Sequence, residues 1–160
     1  MFKAETHCHT REVSGCSRKS AKYMIKLYKE AGYSTVFISD HFQAGSLDVL
    51  GEIPWNEKMT IFLSGYYRAK YEGDLLGITV LPAAEICFDD SANHYLAYGI
   101  TKEFLDAHPN LHKMSSAEFL PIARAVILSC NNNRGKIKAR NCWGNSKNPR
   151  SSERGFFIII

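Results

Sequence analysis

Two periods of apolar residues alternate along the first 125 positions of this chain. Continuous β-branched and aromatic runs, Thr35-Val36-Phe37-Ile38 and Ile78-Thr79-Val80-Leu81, predict strands buried on both faces of a parallel sheet. Phe2 to Thr6 and His94 to Ile100 read as two further strands. Between them the period changes to three and four. Ala21, Met24, Ile25, Tyr28 and Ala31 make one helical face behind a capping Ser20, and Gly32 marks its end. A second stripe, Trp55, Met59, Phe62, Leu63, Tyr66 and Tyr67, predicts one helix from Pro54 to about Gly73. Phe42 to Pro54 reads as loop. Lys102 to Ala107 predicts a short helix, and Ser115 or Ser116 caps another that must accommodate Pro121. Val126 to Leu128 could form one more strand.

This βα alternation defines an α/β domain over residues 1–128. Residues 129–160 lack apolar periodicity until Phe156 and read as a basic, irregular tail. The charge divides at the same place. From Val126 onward there are seven Lys or Arg against Glu153 alone, a charge of +6, so the remainder carries −2 of the net +4. A nucleic-acid partner would therefore rest on the tail only and is not favoured. The five cysteines are odd in number and lack a Cys-x-x-Cys pair, which fits reduced thiols in a cytoplasmic protein better than a disulfide framework. No apolar run approaches the roughly 20 residues needed to span a bilayer.

Ligand-type residues gather where the predicted strands end. His7 and His9, two apart at the end of the first strand, can turn both imidazoles to one point. The second strand delivers Asp40-His41, the third closes on Glu85, and His94 opens the next. In parallel α/β sheets such ends share one face, and convergent imidazoles and carboxylates there suit Zn, Mn or Fe.

Together, His7-x-His9, Asp40-His41, Glu85 and His94-Tyr-Leu-Ala-Tyr-Gly-Ile resemble the PHP (polymerase and histidinol phosphatase) superfamily over about residues 2–125. The resemblance implies a partial (β/α)7 TIM-like PHP barrel of three to four βα units. It also implies a histidinol-phosphatase-like phosphoesterase holding two or three divalent ions of Mn, Zn or Fe. By the same resemblance, His7 and His9 hold one metal, Glu85 bridges two, and His41 and His94 complete neighbouring shells. Asp40 would orient a ligand or move a proton. The substrate would be a small phosphorylated molecule.

Some family motifs are missing. No His-Pro pair follows a later strand, since His108-Pro109 follows a predicted helix end, and no late Asp-x-His pair occurs. His112 is expected at the surface. Where many members place another ligand stands Cys16, a conceivable soft substitute for which a plain loop cysteine is the simpler reading. About 200 residues usually close such a barrel, so a truncated, catalytically inactive metal-binding remnant is the alternative, with oligomerisation through exposed strand edges.

Overall fold

The computed structural model describes residues 2–91 and 93–123. Five strands lie in it: β1 (Ala4–Cys8), β2 (Thr35–Ile38), β3 (His41–Phe42), β4 (Thr79–Cys87) and β5 (His94–Tyr98). The helices are α1 (Ala21–Glu30), α2 (Ala44–Leu47), α3 (Trp55–Phe62), α4 (Ser64–Leu76) and α5 (Lys102–Ala107), and residues 116–123 form another helical stretch. The tail and the Val126–Leu128 strand expectation lie outside the described residues.

β4 is the spine of the sheet. β2 and β3 both pair parallel to it in one register, each partner lying 44 positions on: Thr35 with Thr79, His41 with Glu85. They are thus one interrupted strand along a single edge of β4, and the backbone N–H of Glu85 donates to the Asp40 carbonyl across the interruption. β1 extends this edge, parallel to β2, while β5 pairs antiparallel on the other edge of β4. The result is a mixed α/β sheet, curled, and compatible with part of a TIM-like barrel.

The antiparallel β5 corrects the expectation of unbroken βα alternation. Asp89 to Asn93 is too short for a crossover helix, so the chain can only turn back on itself. The reversal brings the start of β5 to the same end as the finish of β4, with Cys87 opposite His94. Two further expectations need correction. Residues 42–54 are not plain loop but contain β3, α2 and a 3₁₀ turn at Asp48–Leu50. The stripe starting at Trp55 is two helices, because the chain breaks at Leu63 and restarts at Ser64.

Alternation along the strands sorts side chains onto two faces. Val36, Ile38 and Val80 pack with Ala21 and Ile25 of α1 and Ala69 of α4. Phe42, Ala84, Ile86 and Ala97 pack beneath α3 and α5, with Met59, Phe62 and Leu105. The opposite face carries a small cluster of Ala83, Leu96, Tyr98 and Phe37, in which the Phe37 and Tyr98 rings meet edge-on at 5.0 Å. Helix starts follow their local sequence. Ser20 Oγ accepts the Tyr23 N–H, and Ser115 and Glu118 cap each other reciprocally at the head of the helical stretch 116–123.

α4 lies close enough to the sheet to demand glycine. A Cβ on Gly73 would come within 2.6 Å of Val80 Cγ2 and 2.8 Å of the Ile78 carbonyl, whereas one on Gly45 would meet nothing. Gly73→Ala should therefore destabilise by roughly 1–3 kcal/mol through overpacking, despite the better helix propensity of alanine. Gly45→Ala should be neutral or stabilising by up to about 1 kcal/mol. Urea unfolding midpoints of the two variants check the contrast.

Candidate metal centre

β1 reaches the centre through a break in its own pleat. Its pairing with β2 shifts register between Glu5 and Cys8. Glu5 accepts a hydrogen bond from Tyr28 of α1 at 3.2 Å, and Cys8 is buried against the same helix. Two residues three apart thus face the helices, and the bulge re-aims what lies between and after them. His7 and His9 turn to the other face, the one carrying Phe37 and Tyr98. His41 and Glu85, direct partners in register, point there too, and His94 arrives from β5.

Four of the five predicted ligand residues converge on the carboxylate of the fifth, Glu85. Oε2 lies 2.8 Å from both His7 Nε2 and His9 Nε2, and 3.6 Å from His41 Nδ1. Oε1 lies 2.8 Å from His94 Nδ1. The two carboxylate oxygens thus serve different imidazoles. Three overlapping donor triads result, His7–His9–Glu85, His41–Glu85–His94 and His9–Cys16–His41, each with its atoms within 4.8 Å of one another. The Glu85 side chain is 8 % exposed and that of His94 42 %, so the centre opens on the β5 side.

Protons alone cannot satisfy this geometry. His7 Nε2, His9 Nε2 and Glu85 Oε2 form a triangle with edges of 2.7, 2.8 and 2.8 Å. If both imidazoles carry Nε2 protons, both donate to the carboxylate, but two N–H groups then oppose each other. If one does, the bare nitrogen of the other faces the carboxylate, lone pair against lone pair. With Glu85 ionised, every assignment leaves one edge with like against like, at a separation where charge interactions are large. A divalent cation accepts all three lone pairs at once, and the imidazole–carboxylate set is of the type Zn, Mn and Fe take. His41 adds a buried Nδ1 without a hydrogen-bond partner. The donor set therefore fits a metal ion.

The electrostatics agree. Burial alone would push the Glu85 carboxyl up, but hydrogen bonds from His7 and His9, the charge of His7 and a further bond from His94 hold it well below the usual carboxylate range. It is held in its ionised form near neutral pH. Burial, then the neighbouring charge of His9, pushes His41 below the ordinary histidine value, which keeps a lone pair available.

Asp40 stands elsewhere. It is buried on the helix side of the interrupted strand, and both of its oxygens are occupied. Oδ1 accepts the Thr10 N–H at 2.7 Å and the Ser14 hydroxyl at 2.6 Å, while Oδ2 accepts the Thr10 hydroxyl at 2.7 Å. Ser14 Oγ also accepts the His41 N–H at 3.0 Å. Asp40 thereby ties the turn after His9 to the backbone of His41, an orienting position rather than one facing the imidazoles. Burial pushes its carboxyl up, opposed by the bonds from Ser14 and Thr10. Thr10 and Ser14 were missed by sequence reasoning, since nothing in a small polar loop marks which hydroxyl lands on a carboxylate. Gly65 of α4 leaves room for this knot: a Cβ there would collide with Thr10 Oγ1 and come within 2.7 Å of Asp40 Oδ2.

The expectation of a surface His112 is corrected. It is buried, stacked on Trp55 at 5.3 Å and paired with Asp48 at 3.2 Å, a packing role beneath α3. His108 closes α5 through the Phe104 carbonyl at 2.7 Å. No helix among the described residues is long and apolar enough to cross a membrane.

No protein-family model matches the sequence, and comparison with curated proteins finds no relative. Among solved structures it is similar to a protein of Bifidobacterium adolescentis provisionally assigned as a metal-dependent phosphoesterase, at 17% identity and a TM-score of 0.42. The match covers 80% of this chain and 34% of that one, so the chain spans about a third of that protein's length.

The depressed Glu85 carboxyl stabilises the fold above its unfolded pKa of about 4.5, and that contribution is lost as pH falls through the lower folded value. In metal-free protein, Glu85→Gln should therefore flatten the loss of stability below pH 4.5, as read from urea midpoints measured at descending pH. An unchanged acid limb would show that the carboxylate is not held by its imidazoles.

Proposed function

We propose that this chain is a PHP-like, metal-dependent hydrolase of phosphate esters, histidinol-phosphatase-like in type. The observation that carries the reading is the triangle of His7, His9 and an ionised Glu85, whose three short edges no arrangement of imidazole protons satisfies. In this reading His7, His9 and Glu85 hold one divalent ion of Mn, Zn or Fe. Glu85 Oε1 with His94 would serve a second, and His41 would complete a neighbouring shell. Such ions supply hydroxide from bound water near neutral pH and neutralise phosphoryl charge.

The chain's own residues do the rest. Glu85 stays ionised and spans the two groups of imidazoles. His41 stays neutral. Asp40, through Thr10 and Ser14, fixes the backbone on which His9 and His41 sit, and such supporting partners typically matter by about 10–100-fold in metal affinity or activity. The more exposed His94 borders the approach for a small phosphorylated substrate. Phosphate esters fit because a cluster of cations matches their charge and in-line geometry.

The test is metal content by elemental analysis after purification, together with turnover of p-nitrophenyl phosphate in Mn2+ or Zn2+. The wild-type protein should retain ions and hydrolyse the ester. His9→Ala should lose both, with kcat/KM falling by at least the roughly 100-fold upper range for supporting partners. Ions retained without turnover would leave a metal-binding protein that is not a phosphoesterase, and folded protein retaining no ion would remove the reading altogether.

A further inference from the structure

The third donor triad holds the one sulfur in the centre. The loop after β1 folds back on itself, with Ser14 N–H donating to the Thr10 carbonyl at 2.8 Å, Ser17 N–H to the Ser14 carbonyl at 3.0 Å and Arg11 N–H to the Lys19 carbonyl at 3.0 Å. Ser14 is itself fastened to Asp40. Cys16, two residues on, is thereby set beside the imidazoles, its Sγ 3.6 Å from His9 Nδ1. That separation matches the distance across a tetrahedral ion with a sulfur ligand at about 2.3 Å and a nitrogen at about 2.0 Å. Cys16 is exposed, whereas Cys8 is buried in the core behind β1.

We propose that Cys16 and His41, with His9 at the rim, form a thiolate-bearing cation position that favours thiophilic ions such as Zn2+, Co2+ or Cd2+ over Mn2+ or Mg2+. The proposal rests on the metal-centre reading above and specifies which ions that centre selects. His9 lies between two positions: its Nε2 faces His7 and Glu85, its Nδ1 faces Cys16. A neutral imidazole offers one lone pair, so filling both positions through His9 requires loss of both ring protons. Otherwise His9 serves the His7–Glu85 position and Cys16 with His41 carries the thiolate position. Either way the sulfur sets the preference, because thiolate is a soft ligand and Mn2+ and Mg2+ select oxygen.

The experiment titrates the full chain with CoCl2 and reads the absorption spectrum. Sulfur-to-cobalt charge transfer appears in the near ultraviolet, while cobalt bound by nitrogen and oxygen shows only visible bands. The wild type should show both. Cys16→Ser should lose the near-ultraviolet band and keep the visible ones from the His7–His9–Glu85 position, and Cys130→Ser with Cys142→Ser should leave the band in place. Visible bands alone in the wild type, or a near-ultraviolet band that survives Cys16→Ser, overturn the proposal while the metal centre stands. Absence of any cobalt band from folded wild-type protein overturns both.

Discussion

A buried carboxylate surrounded by imidazoles is the constraint on which the rest of this structure depends. Taking Glu85 out of water is unfavourable unless it is paired and hydrogen-bonded, and it sits inside β4, a strand with partners on both edges. Its companions come from three other strands: His7 and His9 from the end of β1, His41 from the partner strand in direct register, and His94 from the reversal into β5. Moving any one of these strands along its neighbour would leave the carboxylate buried with fewer donors. Register, normally set by the apolar face alone, is here set by the polar face as well.

The opposite face supports that arrangement with a second buried carboxylate. Asp40 accepts three hydrogen bonds from Thr10 and Ser14 and so joins the β1–α1 loop to the gap between β2 and β3. The two acids divide the work by the parity of the strand. Asp40 and His41 are adjacent, so one faces the helices and the other the centre. The acid therefore fixes the backbone, and the imidazole does the presenting.

Much of this was legible in the sequence, and for a physical reason. His41 and Glu85 are conspicuous because the runs they close are largely apolar, and His7, His9 and His94 because they stand at the ends of further predicted strands, so all five could be picked out before any coordinates. Asp40 could be picked out but not placed, since its face depends on parity carried through the interruption at Ser39. The β4–β5 reversal was hidden because a run such as His94 to Tyr98 reads the same in either direction. The break at Leu63 was hidden because an apolar stripe continues through it. His112 looked like a surface residue because its burial comes from Trp55, more than fifty positions away, and no local pattern encodes that stacking.

Protons and a cation compete for the same lone pairs in the centre. With protons only and Glu85 ionised, the His7–His9–Glu85 triangle keeps one edge of like against like, and the strand register that creates the triangle must bear that repulsion. A cation on the three lone pairs removes it. In the proposed metal-bound state the ligands are neutral imidazole and ionised carboxylate, so ion uptake would release protons and add its free energy to folding. The depressed Glu85 and lowered His41 already hold these two groups in those forms near neutral pH. The cost of holding those forms falls on the strand register, which sets His7, His9 and Glu85 against one another.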